Sequence, residues 1–500
     1  MGPTSKLALL LLIAPLLRAA EFHTGQAARA VIGQSTFSSH DPGIQANALS
    51  VADGKLFVAD TSQQVLTFDL SKMPGPMDDL DASQSACSVC GFTPIASAEQ
   101  SVMPGIAAVA VWNKSLVVAD PVNRRVLIWR DTAKPGAETS PDVTLGPASF
   151  ASSGSGSSLA SPVSVAFDGR HLFVGDSGLH RVLVWNGLPS ADDATPAAVL
   201  GQNNATSASD TDPSAADSVG TPVALASDGT NLLVADSSNR RILVFSPGDI
   251  ALSTNQLIHS ATLQPGPFAA GTLVSLLGAS LTDESAAPSS EDDGLPTKLA
   301  GVRVLVNGSA IPLSAASPSE VRAQLPYSVS TGAASVYLRV ERTDGTVAIT
   351  NPISMRVVPA APGLFAFAGG EPRSGMVLHS SGPDGKGPPV TESDPAKPGE
   401  IVTVWATGLG SIENDLDSQL SAGTPFGGNQ AAVAIPVSAS IDGRAAEVVS
   451  ALLPKGAIGI YEVRIHLPSD LRSARKTPLF ISQAGIQSNT VTFASQGELQ

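Results

Sequence analysis

The stretch NLLVADSSNRRILVFS (231–246) decides the fold: an apolar run closed by Asp236, a polar turn, then a second apolar run ending in an aromatic residue. Three earlier stretches repeat it: KLFVADTSQQVLTFDL (55–70), SLVVADPVNRRVLIWR (115–130) and HLFVGDSGLHRVLVWN (171–186). Their aligned aspartates Asp60, Asp120, Asp176 and Asp236 are spaced 60, 56 and 60 residues apart. Ahead of most copies lies another strand-like run, as in PVSVAFDG (162–169) and PVALASDG (222–229). Runs such as VLIW (126–129) and VLVW (182–185) are apolar at every position. A sheet wetted on one face alternates, so continuous runs predict sheets covered on both faces. Sheets stacked face to face around an axis meet that requirement.

A fourth element recurs as AVIGQSTF (30–37), VCGF (89–92), VTLGPASF (143–150) and AVLGQNNA (198–205). Its first copy precedes the first repeat and none follows the last. The strand near 30–33 is therefore expected to pair into the final sheet and close the ring, removing an open edge. The count is four blades of four strands over residues 28–262.

These residues resemble the NHL-repeat family of β-propellers, whose units read as an apolar strand, VAD-x-x-N-x-R, and an apolar strand ending in an aromatic. Asp120, Asn123 and Arg125 match that pattern, as do Asp236, Asn239 and Arg241. The third copy keeps Asp176 and Arg181 beside His180, and the first has Gln63 and Gln64 where the pattern has Asn and Arg. The resemblance implies a fold and no activity, because propellers host binding proteins, lyases and lactonases alike.

Beyond residue 262 the pattern changes. PGPFAAGTLVSLLGASL (265–281) lies over DPAKPGEIVTVWATGLG (394–410), and RVLVNGSAIPLSAASP (303–318) over SASIDGRAAEVVSALLP (438–454). EVRAQLP (320–326) lies over EVRIHLP (462–468), and TNPISMRV (350–357) over SNTVTFAS (488–495). Asn307-Gly308 and Asp442-Gly443 predict tight hairpins, since both central residues of such a turn need positive φ. Two small β-sandwiches of immunoglobulin-like or IPT-like type are expected, over 263–360 and 361–497. PAAPGLFAF (359–367), PGEIVTVWATGLG (398–410) and GIYEVRIHLP (459–468) also resemble an uncharacterised C-terminal domain common on secreted acidobacterial proteins. That likeness implies export and a surface or envelope setting, with no activity attached.

The expected fold is thus all-β. With 46 Gly and 38 Pro in 500 residues, short strands joined by turns are favoured over long helices. Charged residues are 15% and aromatics 4%, while 43% of the chain is hydrophobic, which excludes disorder as the main state. A formal charge of −15 argues against a nucleic-acid binder. Lys6, the apolar run 7–17 and the small residues Ala19 and Ala20 form the layout of a signal peptide over 1–20. Eleven residues interrupted by Pro15 are too few to span a bilayer, and no later run is long enough. The mature chain is expected to be secreted, periplasmic or displayed at the cell surface.

Candidate sites are few. Cys87 and Cys90 form CSVC; in an exported chain the default is a disulfide. The repeat alignment, however, puts them ~10 Å apart on a strand, beyond the ~7 Å a disulfide tolerates, so a bridge there needs a turn or bulge. A redox pair is the minor alternative. The repeated aspartates suggest either a divalent metal on the axis or turns in which each side chain accepts backbone hydrogen bonds; the turn is the plainer reading. Arg125, Arg181 and Arg241 then serve neighbouring turns. The clusters Asp78-Asp79-Asp81, Asp210-Asp212 and Glu291-Asp292-Asp293 lack the glycine-bearing calcium loop, although calcium is the metal they would take. His171 and His180 flank one predicted hairpin and read as a surface pair.

No GxSxG, HExxH or GxxxxGK motif occurs, so no catalytic or cofactor-binding residue is assigned. The expectation is a non-catalytic binding protein, using loops such as 72–86 and 203–220 to hold an extracellular polysaccharide or protein. Trp112 is the one loose aromatic for a glycan, since Trp129 and Trp185 occupy repeat-core positions. The alternatives are a propeller lyase or lactonase with an axial metal, or a C-terminal pair that serves surface retention or assembly.

Overall fold

The computed structural model describes residues 20–34, 36–38, 44–52, 54–60, 64–72, 93–97, 108–131, 140–146, 159–204, 207, 215–290, 294–380, 386–413 and 420–497. Residues 1–19 of the expected signal peptide, Cys87, Cys90 and the three acidic clusters lie outside these. The described chain is all-β, with only short 3-10 turns besides strands, and no helix in it is long and apolar enough to cross a membrane.

Four antiparallel sheets of four strands come first. The first contains Ala46–Ala52, Lys55–Asp60, Gln64–Asp69 and Thr93–Ser97. The second contains Ala108–Trp112, Ser115–Asp120, Arg125–Trp129 and Val143–Leu145. The third contains Pro162–Phe167, His171–Asp176, Arg181–Asn186 and Ala198–Leu200. The fourth has Pro222–Ser227, Leu232–Asp236 and Arg241–Phe245, and its outer strand is the N-terminal Ala30–Ile32. The register is Ala30↔Val244, Val31↔Leu243 and Ile32↔Ile242. The expected pairing of the chain's start with its last repeat is therefore present, while the closed ring expected with it is not shown among the described residues. Val31 and Ile32 are almost wholly buried, and each such side chain contributes about 1.5–3 kcal/mol.

One strand sits elsewhere than expected. The outer strand of the first sheet is Thr93–Ser97, paired as Val65↔Ala96, rather than VCGF (89–92). In the other three sheets the glycine follows the strand and has positive φ: Gly33 at 91°, Gly146 at 100° and Gly201 at 86°. A Cβ on Gly146 would meet the Arg124 carbonyl at 2.5 Å, which is why the position is glycine. Gly91 precedes its strand instead, so it marked the wrong segment.

The sheets pack in the order first, fourth, third, second, through their innermost strands. Between first and fourth the core is Leu56, Val58 and Phe68 against Leu233, Ala235 and Ile242. Ala166, Phe173 and Val184 meet Leu225 and Leu232 between third and fourth. Val117, Val126 and Ile128 meet Val165, Leu172 and Leu183 between second and third.

Two further units follow. In one, a four-stranded sheet (Leu257–His259, Leu273–Leu277, Leu313–Ala316, Glu320–Gln324) and a five-stranded sheet share one core that includes Val274, Val304, Leu338 and Met355. The five strands are Val302–Val306, Ser309–Ile311, Gly332–Glu341, Val347–Ile349 and Ile353–Val357. In the other, the strands form a single ten-stranded sheet around a core with Val404, Ile441, Tyr461 and Ile481. The tandem alignment has a structural counterpart: Leu273–Leu277 pairs Glu320–Gln324 as Ile401–Thr407 pairs Tyr461–His466. Asn307-Gly308 (φ 50° and 82°) and Asp442-Gly443 (φ 50° and 75°) close the two predicted hairpins. The continuous sheet differs from the separate pair expected of a sandwich. Its long strand Arg444–Pro454 pairs one neighbour through residues 444–446 and another through 447–452, with a register shift at Val448/Ser450. Such a bend carries one strand into both halves.

Candidate functional site

The repeated residues build one device in several copies. The register opposes Asp120 to Arg125, Asp176 to Arg181 and Asp236 to Arg241 at the end of each hairpin. The residue before each arginine is left-handed: Arg124 (φ 55°), His180 (φ 52°) and Arg240 (φ 51°). Asp236 Oδ1 accepts from the backbone N–H groups of Gly220 and Thr221, both at 3.0 Å. Its Oδ2 accepts from Asn239 Nδ2 at 2.8 Å and Arg241 Nε at 2.9 Å. The carboxylate thus pins the incoming chain, the turn and the outgoing strand together. Asp176 does the same with Ala160, Ser161 and Arg181. Asp120 holds Asn123 and Arg125. Burial pushes the Asp120 pKa up, but the bonds from Asn123 and Arg125 outweigh it and the net shift is downward. Arg241 also donates to the carbonyls of Phe37 (2.8 Å) and Ser218 (2.9 Å), fixing the chain just past the N-terminal strand. In the first sheet the register Ala59↔Val65 starts the strand at Gln64, where an arginine would sit; the side chains of Asp60 and Gln64 lie outside the described residues.

These hydrogen bonds occupy the carboxylate lone pairs that an axial metal would need. Among the described residues no three His, Cys, Asp or Glu side chains gather into a metal-binding group.

His171 and His180 do not meet. They lie at opposite ends of the Leu172–Trp185 hairpin, because His171 pairs Asn186 while Arg181 pairs Asp176. Five strand residues at ~3.3 Å each separate them. Nor are they a surface pair. His171 is buried, with Nδ1 3.2 Å from Asp168 and its ring edge-on to Phe22. Burial pushes the Asp168 pKa up, and the bonds from His171 and Arg170 more than reverse that. The same corner in the fourth sheet is Asp228–Asn231, with Asn231 Nδ2 2.8 Å from the carboxylate. His171 therefore acts as the turn clamp that Asn231 is in its neighbour. The signal was present in the paired segments ending FDG and SDG, two residues further on. Trp112, the loose glycan candidate, stands edge-on to Phe167 at 6.0 Å. Trp185 is core and donates to the Ala194 carbonyl, while Trp129 is half-buried.

The concave feature that sequence reasoning missed lies where the fourth sheet meets the next unit. It is a cleft of about 430 Å³ lined by Thr24, Gln26, Asn203, Asp217, Thr254 and Asn255, among others. Asn203 and Asp217, from the two ends of the 203–220 loop, contribute, and the opposite wall comes from elsewhere. That wall is rigid. Asn351 is buried and exchanges side-chain bonds with Leu252 N–H (2.6 Å) and carbonyl (2.9 Å). Ala27 N–H donates to the Pro352 carbonyl at 3.0 Å. Gln26 is held by Ser246 and by His23 N–H. Among the described residues the lining offers hydroxyls and amides with one carboxylate and no cationic side chain.

No family model matches the chain, and no curated protein matches it. Similarities to solved structures are slight. The computationally designed protein Ika4 aligns at 11% identity over 43% of this chain and 97% of its own, with a TM-score of 0.18. BamB from Moraxella catarrhalis aligns at 14% identity over 40% of this chain and 44% of its own, with a TM-score of 0.17. Fibronectin(III)-like modules of Clostridium thermocellum CbhA align at 16% identity over 47% of this chain and 90% of theirs, with a TM-score of 0.12. Scores this low carry no argument about fold or function.

Proposed function

We propose that this is an exported, non-catalytic binding protein in which four propeller blades and two immunoglobulin-like sandwiches present a site for a neutral polysaccharide. The observation that carries the reading is the rigid cleft of about 430 Å³, within the range of small-ligand sites. Hydroxyl and amide groups on Thr24, Thr254, Asn203 and Asn255 suit the hydroxyls of a sugar, which need both donors and acceptors. The lack of a cation in the lining disfavours an anionic ligand. The occupied aspartates favour binding over metal-assisted lyase or lactonase chemistry. Export rests on the leader-like layout from Lys6 to Ala20.

The test is retention of the purified protein on immobilised neutral polysaccharides and on cell-wall material. Asn203→Ala combined with Asn255→Ala is expected to weaken retention about tenfold or more, as loss of two hydrogen bonds implies. No retention of the parent protein on any neutral glycan would overturn the carbohydrate reading.

A further inference from the structure

In the last unit, residues 388–396 form a strap pinned at both ends. At its start His379 N–H donates to the Pro388 carbonyl at 3.0 Å, and Val390 N–H to the Val377 carbonyl at 2.9 Å. At its end Ala396 N–H donates to the Ala494 carbonyl at 3.0 Å, and Gln496 N–H to the Ala396 carbonyl at 2.8 Å. Ala396 belongs to the core and Val390 packs against it. Residues 391–394 between these anchors are exposed. They close a turn, with Thr391 N–H donating to the Asp394 carbonyl and Asp394 N–H to Thr391 Oγ1, both at 3.0 Å.

One buried side chain ties this exposed turn to the sheet. His379 ends the strand Val377–His379, which is held against Ile401–Thr407 by the register Val377↔Val404 and His379↔Val402. Its Nε2 lies 3.2 Å from the Asp394 carbonyl and 3.5 Å from the Asp394 carboxylate. Its Nδ1 contacts the Glu400 carboxylate, whose other oxygen accepts from Lys397 N–H at 2.8 Å. Carbonyl and carboxylate oxygens only accept, so both ring nitrogens must donate and the imidazole must be charged. A neutral ring has one N–H. It goes to Glu400, because the bond to a carboxylate is the stronger one. Nε2 then turns a lone pair on the Asp394 oxygens, and the tie to the strap is lost.

We infer that His379 is a pH-operated latch: its imidazolium holds the turn 391–394 against the sheet, and loss of the proton releases it. The charged groups that face the ring are Glu400 and Asp394. Others nearby are engaged elsewhere: His466, on the strand beyond Ile401, contacts Glu447 (3.4 Å) and the Gly399 carbonyl (3.0 Å), and Arg475 lies 3.9 Å from Glu392. Burial pulls the His379 pKa down, but the bond and charge of Glu400 more than reverse this, so the latch is closed below pH 6.5 and opens as pH rises above it. The device is separate from the cleft and from any ligand there.

The experiment is millisecond hydrogen exchange on the full chain from pH 5.5 to pH 8.5, corrected for the base-catalysed intrinsic rate. Protection of the Thr391 and Asp394 amides is expected to fall about tenfold over this range, as loss of one charge-assisted hydrogen bond implies, while the amides of Ile401–Thr407 hold theirs. His379→Gln, whose amide donates at every pH, is expected to flatten the profile. Glu400→Gln removes the charge that retains the proton and is expected to move the midpoint to lower pH. A flat profile in the parent overturns the latch, as does a parent-like profile in His379→Gln. Should that variant not fold, an unmoved midpoint in Glu400→Gln overturns it equally.

Discussion

The second and fourth sheets carry nearly the same hairpin, PVNRRVLIW (121–129) and SSNRRILVF (237–245), with the same Asp–Asn–Arg clamp. In the fourth sheet Asp236 and Arg241 are fully buried; in the second the Asp120 and Arg125 side chains are 11% and 39% exposed. The bond lengths are the same, 2.9 Å in both. What differs is what lies alongside. Among the described residues the fourth sheet has neighbouring sheets on both faces and the N-terminal strand on its edge, while the second has a neighbouring sheet on one face. The local sequence makes the clamp, and the neighbours set its energetic weight.

The sharpest way to break that contrast is to strip the fourth sheet of its extra cover. Deleting residues 21–32 removes Phe22, Val31 and Ile32 from the core and leaves Arg241–Phe245 as an open edge. At about 1.5–3 kcal/mol per side chain the three together lose about 4.5–9 kcal/mol. Hydrogen exchange should show the amides of Arg241–Phe245 losing protection while those of Arg125–Trp129 change little. Next comes Arg241→Met, which leaves the Asp236 carboxylate buried without its partner and frees the Phe37 and Ser218 carbonyls. Breaking a buried pair on one side costs about 3–5 kcal/mol, to be read from the urea midpoint.

How much of this was legible in the chain depends on how local each feature is. Asp236 and Arg241 are five residues apart and face each other across one turn, so spacing alone reveals the clamp. The N-terminal strand was legible because the fourth element began one copy early and ended one copy short. The outer strand of the first sheet was misplaced because Gly91 stood in for it, although pairing follows Val65 and Ala96. Of the cleft only the 203–220 loop was named from the chain; Thr24, Thr254 and Ile353 join Asn203 from distant parts of the sequence. The single sheet of the last unit was hidden for a similar reason, since the shift at Val448 depends on two partners at once.

A titrating group tests the same rule of burial in the C-terminal half. His259 is buried, with Nε2 3.1 Å from the Ala361 carbonyl and Nδ1 accepting from Ala261 N–H at 3.2 Å. Burial pushes its pKa down from 6.5 to about 4, against the upward pull of the Ala361 carbonyl. Between those values the unfolded chain binds a proton that the folded chain does not. Its contribution is therefore complete above pH 6.5 and is lost as pH falls through about 4, by about 3 kcal/mol in all. His379 has the opposite sign. Burial pulls its pKa down, but the bond and charge of Glu400 prevail and raise it above 6.5. That contribution is present below pH 6.5 and fades as pH rises through the folded value. Urea midpoints of His259→Gln should fall less than the parent's between pH 7 and pH 4.5.

The smallest effect sharpens the opening contrast from its other side. Arg125→Met removes the same guanidinium from the same motif as Arg241→Met, but where water still reaches the pair. Exposed pairs contribute about 0–1 kcal/mol, and with Arg125 39% exposed beside a largely buried Asp120 the urea midpoint should fall less than for Arg241→Met. A loss comparable to that of Arg241→Met would mean that the clamp is strong by its own geometry and the neighbours add little.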